Sequence, residues 1–345
     1  MEYIKPVLLT RDLEIGFVLN NHKKKIIYSD INIYAGKGEL VALIGRNGVG
    51  KSTLLRTLAN LQKSLSGEIL INSTEINELK RIEAARIISF VSTEPVRIAN
   101  LKVFDLVALG RFPHTNWAGR LKQRDRKLVH EAIKSAGLEG FEQKSVAEIS
   151  DGERQRAMIA RTLAQETGIV ILDEPTAFLD LPGKYEIVRI LNDLATNTGK
   201  TIIFSTHDLN IAMHRADKIW LMLPHEIVSG APEDLVLTDR FADIFKNSEL
   251  QFDVHKGDFL LPVDFKGKIG LSGKGLARLW TTKALERIGL QVAEAGKQEN
   301  IVAVNEKNGI IQINLKTGDK IIEFSSIYQL SLCLKSIFSR QITMH

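Results

Sequence analysis

The chain has 345 residues, of which 44% are hydrophobic and 25% charged, with a net charge of +5. Those values sit in the ordinary globular range, which excludes a disordered chain. A charge this mild does not argue for nucleic acid, and no nucleic-acid partner is expected. The length favours two domains, or one large domain with an appendage.

The N-terminal Met1–Pro6 carries neither a secretory nor an organellar targeting pattern. Residues 8–19 and 26–34 alternate loosely and read as strands, joined by a polar turn from Asn20 to Lys25. The lysines of that turn read as a solvated hairpin tip. Leu40–Ile44 is a wholly apolar strand of the kind buried on both faces. A helix from Thr53 to Leu61 and a strand Gly67–Ile71 follow, then a helical middle from Val103 to Gly140 with polar interruptions. A second long helix begins after Ser150. Ile169–Leu172 and Thr201–Phe204 are further buried strands, with a helix Pro182–Asn197 between them. Apolar strands alternating with helices predict an α/β core around a largely parallel sheet.

The character changes near residue 250. Strand-like segments Phe259–Val263, Ile301–Val304, Ile310–Leu315 and Lys320–Phe324 flank helices over 274–289 and 326–338. This is a small α+β appendage, and most of the positive excess lies in it. The single cysteine, Cys333, can form no internal disulfide and reads as a small buried apolar residue. No apolar stretch approaches the roughly 18 residues needed to cross a bilayer, so any membrane attachment is expected to come through a partner.

Gly45-Arg46-Asn47-Gly48-Val49-Gly50-Lys51-Ser52, directly after a buried strand and directly before a helix, is a P-loop in its confirming context. The glycines let the backbone wrap around phosphate oxygens with N–H groups aimed inward. The helix start adds a positive dipole end next to Thr53. Lys51 neutralises the β- and γ-phosphates and the Ser52 hydroxyl holds Mg²⁺, so ATP and Mg²⁺ are the expected cofactors. The strand Ile169–Leu172 ends in Asp173-Glu174-Pro175. Asp173 is placed for Mg²⁺, and Glu174 to take a proton from the attacking water.

Ile149-Ser150-Asp151-Gly152-Glu153-Arg154-Gln155-Arg156 lies ahead of the acidic strand, and Ser150 with Glu153 forms a capping box. With Thr206-His207-Asp208 after a later strand, this stretch resembles the signature motif of ATP-binding-cassette (ABC) ATPases over residues 8–245. The resemblance implies a P-loop NTPase fold of ABC type over 1–249, with a helical subdomain at about 95–165 and the appendage at 250–345. It implies a homodimer in which each ATP lies between one copy's P-loop and the other's signature helix. Lys51, Ser52, Asp173, Glu174 and His207 would act in cis, while Ser150 and Gly152 would complete the partner's site. Asp180 matches the loop that crosses the dimer interface, and Phe17 falls where an aromatic ring stacks on adenine; the alternative for Phe17 is an ordinary core residue of its strand. The sequence departs from the family at Asp151, which replaces a glycine, and at Glu153, which replaces a glutamine. At Thr93 the family has a metal-sensing glutamine; Thr93, or Glu94 with a one-residue shift, would substitute.

Val103–His114 and Trp117–Leu121 resemble the importer subfamily serving iron–siderophore, haem and cobalamin uptake. In that family this region, with Arg111, His114 and Trp117 here, meets the coupling helix of an integral-membrane permease. The alternative for those three side chains is ordinary packing and solvation. The resemblance implies ATP hydrolysis powering uptake with a permease and a substrate-binding protein, at the cytoplasmic face of the inner membrane, peripherally attached. The rival expectation is a soluble ABC-type ATPase switching on nucleic acid or ribosomes. The appendage matches no nucleotide motif; Trp280 in a helical pattern suggests a regulatory or dimer-stabilising role, against a passive extension.

Overall fold

Short apolar strands, buried on both faces, build the main parallel sheet. The computed structural model describes residues 6–19, 23–94, 100–116, 119–246, 248–254, 257–296, 298–307 and 310–342. Met1–Lys5, Asn20–His22, Trp117 and Ala118, about which the sequence raised expectations, lie outside that set, as does the start of the helical segment at 95–99.

A six-stranded sheet runs in the order Ile227–Gly230, Lys218–Met222, Leu40–Gly45, Thr201–Ser205, Ile169–Leu172, Ile88–Val91. All neighbours are parallel except the first pair. Successive side chains of a strand point to opposite faces. Leu40, Ala42, Ile44, Val170, Leu172, Ile202 and Phe204 therefore enter one core with the helices, while Val41, Leu43, Ile169, Ile171 and Ile203 enter another. The second core is closed by the P-loop helix Lys51–Leu58 and an antiparallel sheet built on Pro6–Val18.

The predicted helical middle is interrupted: a helix Val103–Ala108 runs into a tight 3₁₀ segment Leu109–His114 containing Pro113, and a second helix spans Gln123–Ser135. Both pack with the helix Asp151–Ala164 into the first core through Val103, Leu106, Val107, Val129, Ala132, Ile133, Ala157 and Ala160. The P-loop helix starts two residues earlier than expected and ends at Leu58; Leu61, read as helical, is exposed outside it.

The chain divides into two units, Met1–Phe259 and Leu260–His345. In the first, Gln251–Asp253 pairs with Asp258–Leu260; Phe252 stacks on Phe241, and Phe259 meets the Phe245 ring edge-on at 4.7 Å. The strand expected at Phe259–Val263 is thus cut to Asp258–Leu260, because 261–265 is exposed chain without a pairing partner.

The second unit is a five-stranded sheet ordered Leu290–Glu294, Gly267–Gly273, Asn300–Lys307, Ile310–Thr317, Lys320–Phe324, with helices Gly275–Arg287 and Ile327–Ile342. Its first three strands are parallel and the last three antiparallel. Ile269, Leu271, Val302, Val304, Ile313, Leu315, Leu285, Leu330 and Leu334 form a core of its own. Cys333 is half-buried against that core, and Trp280 is exposed on the helix surface with Lys283 Nζ 4.5 Å from its ring centroid. No helix among the described residues is long and apolar enough to cross a membrane.

Candidate functional site

The P-loop strand ends at Gly45 and its helix begins at Lys51, so the intervening turn sits at the carboxyl edge of the parallel sheet. Gly48 and Gly50 have φ of 78° and 117°. A Cβ at Gly50 would lie 2.6 Å from Ile27 Cγ2, so both conformation and space demand glycine there. Arg46, Asn47 and Gly48 face solvent, Val49 is half-buried, and Ser52 and Thr53 occupy the first helical turn. Lys51 is buried, and its Nζ donates to the carbonyls of Gly45 at 2.9 Å and Arg46 at 3.2 Å. Burial pushes its pKa down, and the carboxylates of Glu174 and Asp173 oppose that shift.

Two strands away the acidic pair is fixed by hydroxyl groups. Asp173 is only 3% exposed. Its Oδ1 accepts from Ser205 Oγ at 2.8 Å, and its backbone N–H donates to Val91 O at 2.9 Å. Thr93 Oγ1 donates to the Asp173 carbonyl at 3.0 Å. Glu174 has φ +49°, a left-handed conformation uncommon for a side chain of its size, and its N–H donates to Ser205 Oγ at 2.8 Å. The Glu174 carboxylate makes a close contact with His207 Nε2.

Two clefts open on this constellation. One, of ≈ 250 Å³, is lined by Gly45, Arg46, Asn47, His207 and Leu209 among others. The other, of ≈ 420 Å³, joins Thr93, Glu94 and Glu174 to Asp151 and Gln155 of the long helix. Tertiary structure thus brings together Lys51, Asp173, Glu174, Thr93 and His207, which are scattered over the sequence.

The remaining candidates are elsewhere. Ser150 caps the helix Asp151–Ala164: its Oγ accepts from Glu153 N–H at 3.3 Å, while Glu153 Oε2 accepts from Ser150 N–H at 2.7 Å and from its hydroxyl at 2.8 Å. Those bonds, the backbone one foremost, hold the Glu153 carboxyl below its usual range. Gly152 follows on the half-buried first turn, and Asp180 Oδ1 caps the helix Leu181–Thr198 by accepting from Gly183 N–H at 3.0 Å. The described contacts of Ser150 and Asp180 are local. Phe17 lies opposite Lys25 in its strand pair and is 45% exposed, so its ring is not a core residue.

Arg111, read as facing a partner, is instead 3% exposed and internally paired with Asp125 at 3.0 Å, Glu166 at 2.7 Å and the Ala164 carbonyl at 2.7 Å. The packing alternative holds for it. His114 Nε2 lies 3.0 Å from the Gln165 carbonyl.

Sequence reasoning missed Ser205. It ends an apolar strand next to Thr206-His207-Asp208, and the only signal was a hydroxyl where the run Thr201–Phe204 would continue apolar.

Residues 28–177 match the ABC transporter family, and 266–335 match the iron ABC transporter C-terminal domain. Petrobactin import ATP-binding protein FpuC of Bacillus anthracis is 35% identical over 70% of this chain and 91% of its own length. Ferric enterobactin transport ATP-binding protein FepC of Escherichia coli is 34% identical over 64% and 82%. Among solved structures, a dimeric ATP-binding cassette in a post-hydrolysis state with ADP and Pi is 27% identical, with a TM-score of 0.57 over 65% of this chain and 98% of that one. An ABC transporter of metal-chelate type in an inward-facing conformation is 25% identical, with a TM-score of 0.61 over 74% and 96%. An ABC transporter ATP-binding protein of Methanocaldococcus jannaschii is 39% identical over 67% of this chain and 78% of its own length. The P-loop cassette and these likenesses together establish that the chain belongs to the ABC transporter ATP-binding proteins, a family of ATPases.

Proposed function

We infer that this chain is the ATP-hydrolysing subunit of an importer for an iron chelate. The observation that carries the chemistry is the Glu174–His207 pair set beside the buried Lys51 at the end of the sheet. Loop amides and Lys51 would hold the phosphates, and Glu174, paired with His207, would take the proton of the attacking water. His207 would then reach the γ-phosphate from the opposite wall of the cleft that it shares with Gly45, Arg46 and Asn47.

Ser52 and Asp173 would hold Mg²⁺, with Thr93 beside them. Asp173 fits that duty: it is a buried carboxylate whose side-chain donor is a neutral hydroxyl, and among the described residues it has no salt-bridge partner. Bound there, the ion would neutralise charge on the phosphates. Ser150, Gly152 and Asp180, at the starts of two helices, would complete the site of a second copy; the dimeric relative supports that arrangement. Phe17 would stack on the adenine.

For the cargo, the support is the match of 266–335 to the iron ABC transporter C-terminal domain and the names of the relatives, petrobactin import and ferric enterobactin transport. A permease, a substrate-binding protein and a peripheral position on the cytoplasmic face of the membrane follow from that reading. Nothing among these relatives supports a switch on nucleic acid or ribosomes.

Replacing Glu174 with glutamine removes the base and keeps the shape. ATP turnover is expected to fall about 10²–10⁴-fold with ATP still bound; undiminished turnover removes the general-base role. Reconstituted with its permease, the wild type is expected to couple turnover to uptake of a ferric chelate, and turnover indifferent to any chelate removes the cargo assignment.

A further inference from the structure

We propose that Ser205 is the positioning residue that sets the metal-binding carboxylate and the general base in one fixed relation. The inference rests on the ATPase reading above and concerns a residue outside its motifs.

Strand Thr201–Ser205 lies between the P-loop strand and the acidic strand, paired with each: Leu43 opposes Ser205 on one side and Leu172 opposes Phe204 on the other. Its last side chain therefore emerges between the phosphate loop and Asp173-Glu174. Ser205 is fully buried. A serine hydroxyl has one proton and two lone pairs. Here the proton goes to Asp173 Oδ1 and a lone pair receives the Glu174 N–H, both at 2.8 Å. One oxygen atom thus joins the side chain of the first acid to the backbone of the second.

Each bond has a consequence. The bond to Oδ1 fixes the Asp173 rotamer and leaves Oδ2 to face a cation. It is also a charge-assisted bond in a water-excluded place, stronger than a neutral one. The bond from the Glu174 N–H holds a backbone at φ +49°, a strained conformation that persists only where surroundings over-determine it. The Thr93 hydroxyl on the Asp173 carbonyl braces the same peptide from the other side. Without Ser205 the carboxylate is free to rotate, and the Glu174 turn loses the donor–acceptor contact that aims its side chain at His207.

The test compares Ser205→Ala and Ser205→Cys with wild type in the full-length chain. Cysteine nearly keeps the volume but offers only a weak donor and acceptor. The main readout is Mn²⁺ affinity measured by electron paramagnetic resonance on protein saturated with a non-hydrolysable ATP analogue. Melting temperature and affinity for the analogue without metal are measured alongside. Loss of such an outer-shell partner typically weakens metal binding 10–100-fold, and that loss is expected for both variants with metal-free nucleotide affinity unchanged. The Mg²⁺ concentration giving half-maximal turnover is expected to rise by the same factor. Should the alanine variant not fold, the cysteine variant carries the test. Wild-type Mn²⁺ affinity in the cysteine variant overturns the proposal, because it leaves only a space-filling role. Absence of Mg²⁺-dependent ATP turnover in the wild type removes the ATPase reading itself, and the inference with it.

Discussion

Position 50 shows how a single residue type is imposed from two directions. Its φ of 117° belongs to glycine, and the Ile27 methyl occupies the place of a Cβ. Alanine there must move the P-loop away from Ile27 or out of its turn, and either displaces the N–H groups next to Lys51. Gly50→Ala is expected to weaken ATP binding at least about tenfold, equivalent to about 1.4 kcal/mol, in a titration with a fluorescent ATP analogue. Wild-type affinity would show that the loop tolerates the shift. The glycine spacing was legible in the sequence because it reports backbone conformation, which is local. The buried state of Lys51 was not, since it depends on the carbonyls of Gly45 and Arg46 and on two carboxylates more than a hundred residues away.

Among the elements, the helix Asp151–Ala164 is the most informative. Its capping box was readable from Ser150 and Glu153, and the structure shows both reciprocal bonds. A Glu153 pKa held below the usual carboxylate range means that the ionised form stabilises this helix start. That contribution is complete above the unfolded carboxylate pKa of about 4.3 and is lost as pH falls through the lower folded value. Ser150→Ala is expected to cost about 1 kcal/mol in chemical denaturation near neutrality. By NMR titration it should raise the Glu153 pKa only part of the way toward its ordinary value, because the foremost bond, from the Ser150 backbone N–H, survives the substitution; an unmoved pKa would show that the hydroxyl contributes nothing to the shift. The same helix ends at Ala164, whose carbonyl accepts from Arg111 Nη1, which also donates to Glu166, while Nε donates to Asp125. In sequence Arg111 was expected at a partner surface through the resemblance of Val103–His114 to the importer subfamily, with ordinary packing and solvation as the alternative. Only the tertiary approach of three segments buries it.

At the scale of the whole molecule, the two units hold separate cores: the parallel sheet with its flanking helices, and the five strands and two helices after Leu260. A chain ending at Phe259 keeps the nucleotide constellation and every residue of the first two cores. It is expected to fold cooperatively and to bind ATP with the affinity of the full chain, checked by thermal melting and nucleotide titration. Loss of binding would show that the second unit supports the site. We propose a regulatory or dimer-stabilising role for that unit, and dimerisation and uptake by the truncated chain would decide between this role and a passive extension. Its strands Gly267–Gly273 and Leu290–Glu294 were not read from sequence. Gly267, Gly270 and Gly273 break the alternation that marks a strand, and at Gly273 a Cβ would lie 2.2 Å from the Val304 carbonyl oxygen of the neighbouring strand.

The sequence by itself determined the P-loop, the acidic strand end, the signature helix start and the α/β architecture. Each of these is written in local spacing: a glycine pattern, a run of apolar residues, a cap three residues from its partner. The order of the strands in the sheet was decided only by folding, and with it the neighbours of every site residue. Ser205 reaches Asp173 because Thr201–Ser205 lies between the P-loop strand and Ile169–Leu172, a pairing that joins segments about 30 and 160 residues apart and leaves no periodic trace. Backbone conformation can be read from neighbours in sequence; side-chain partnership is a property of the closed sheet.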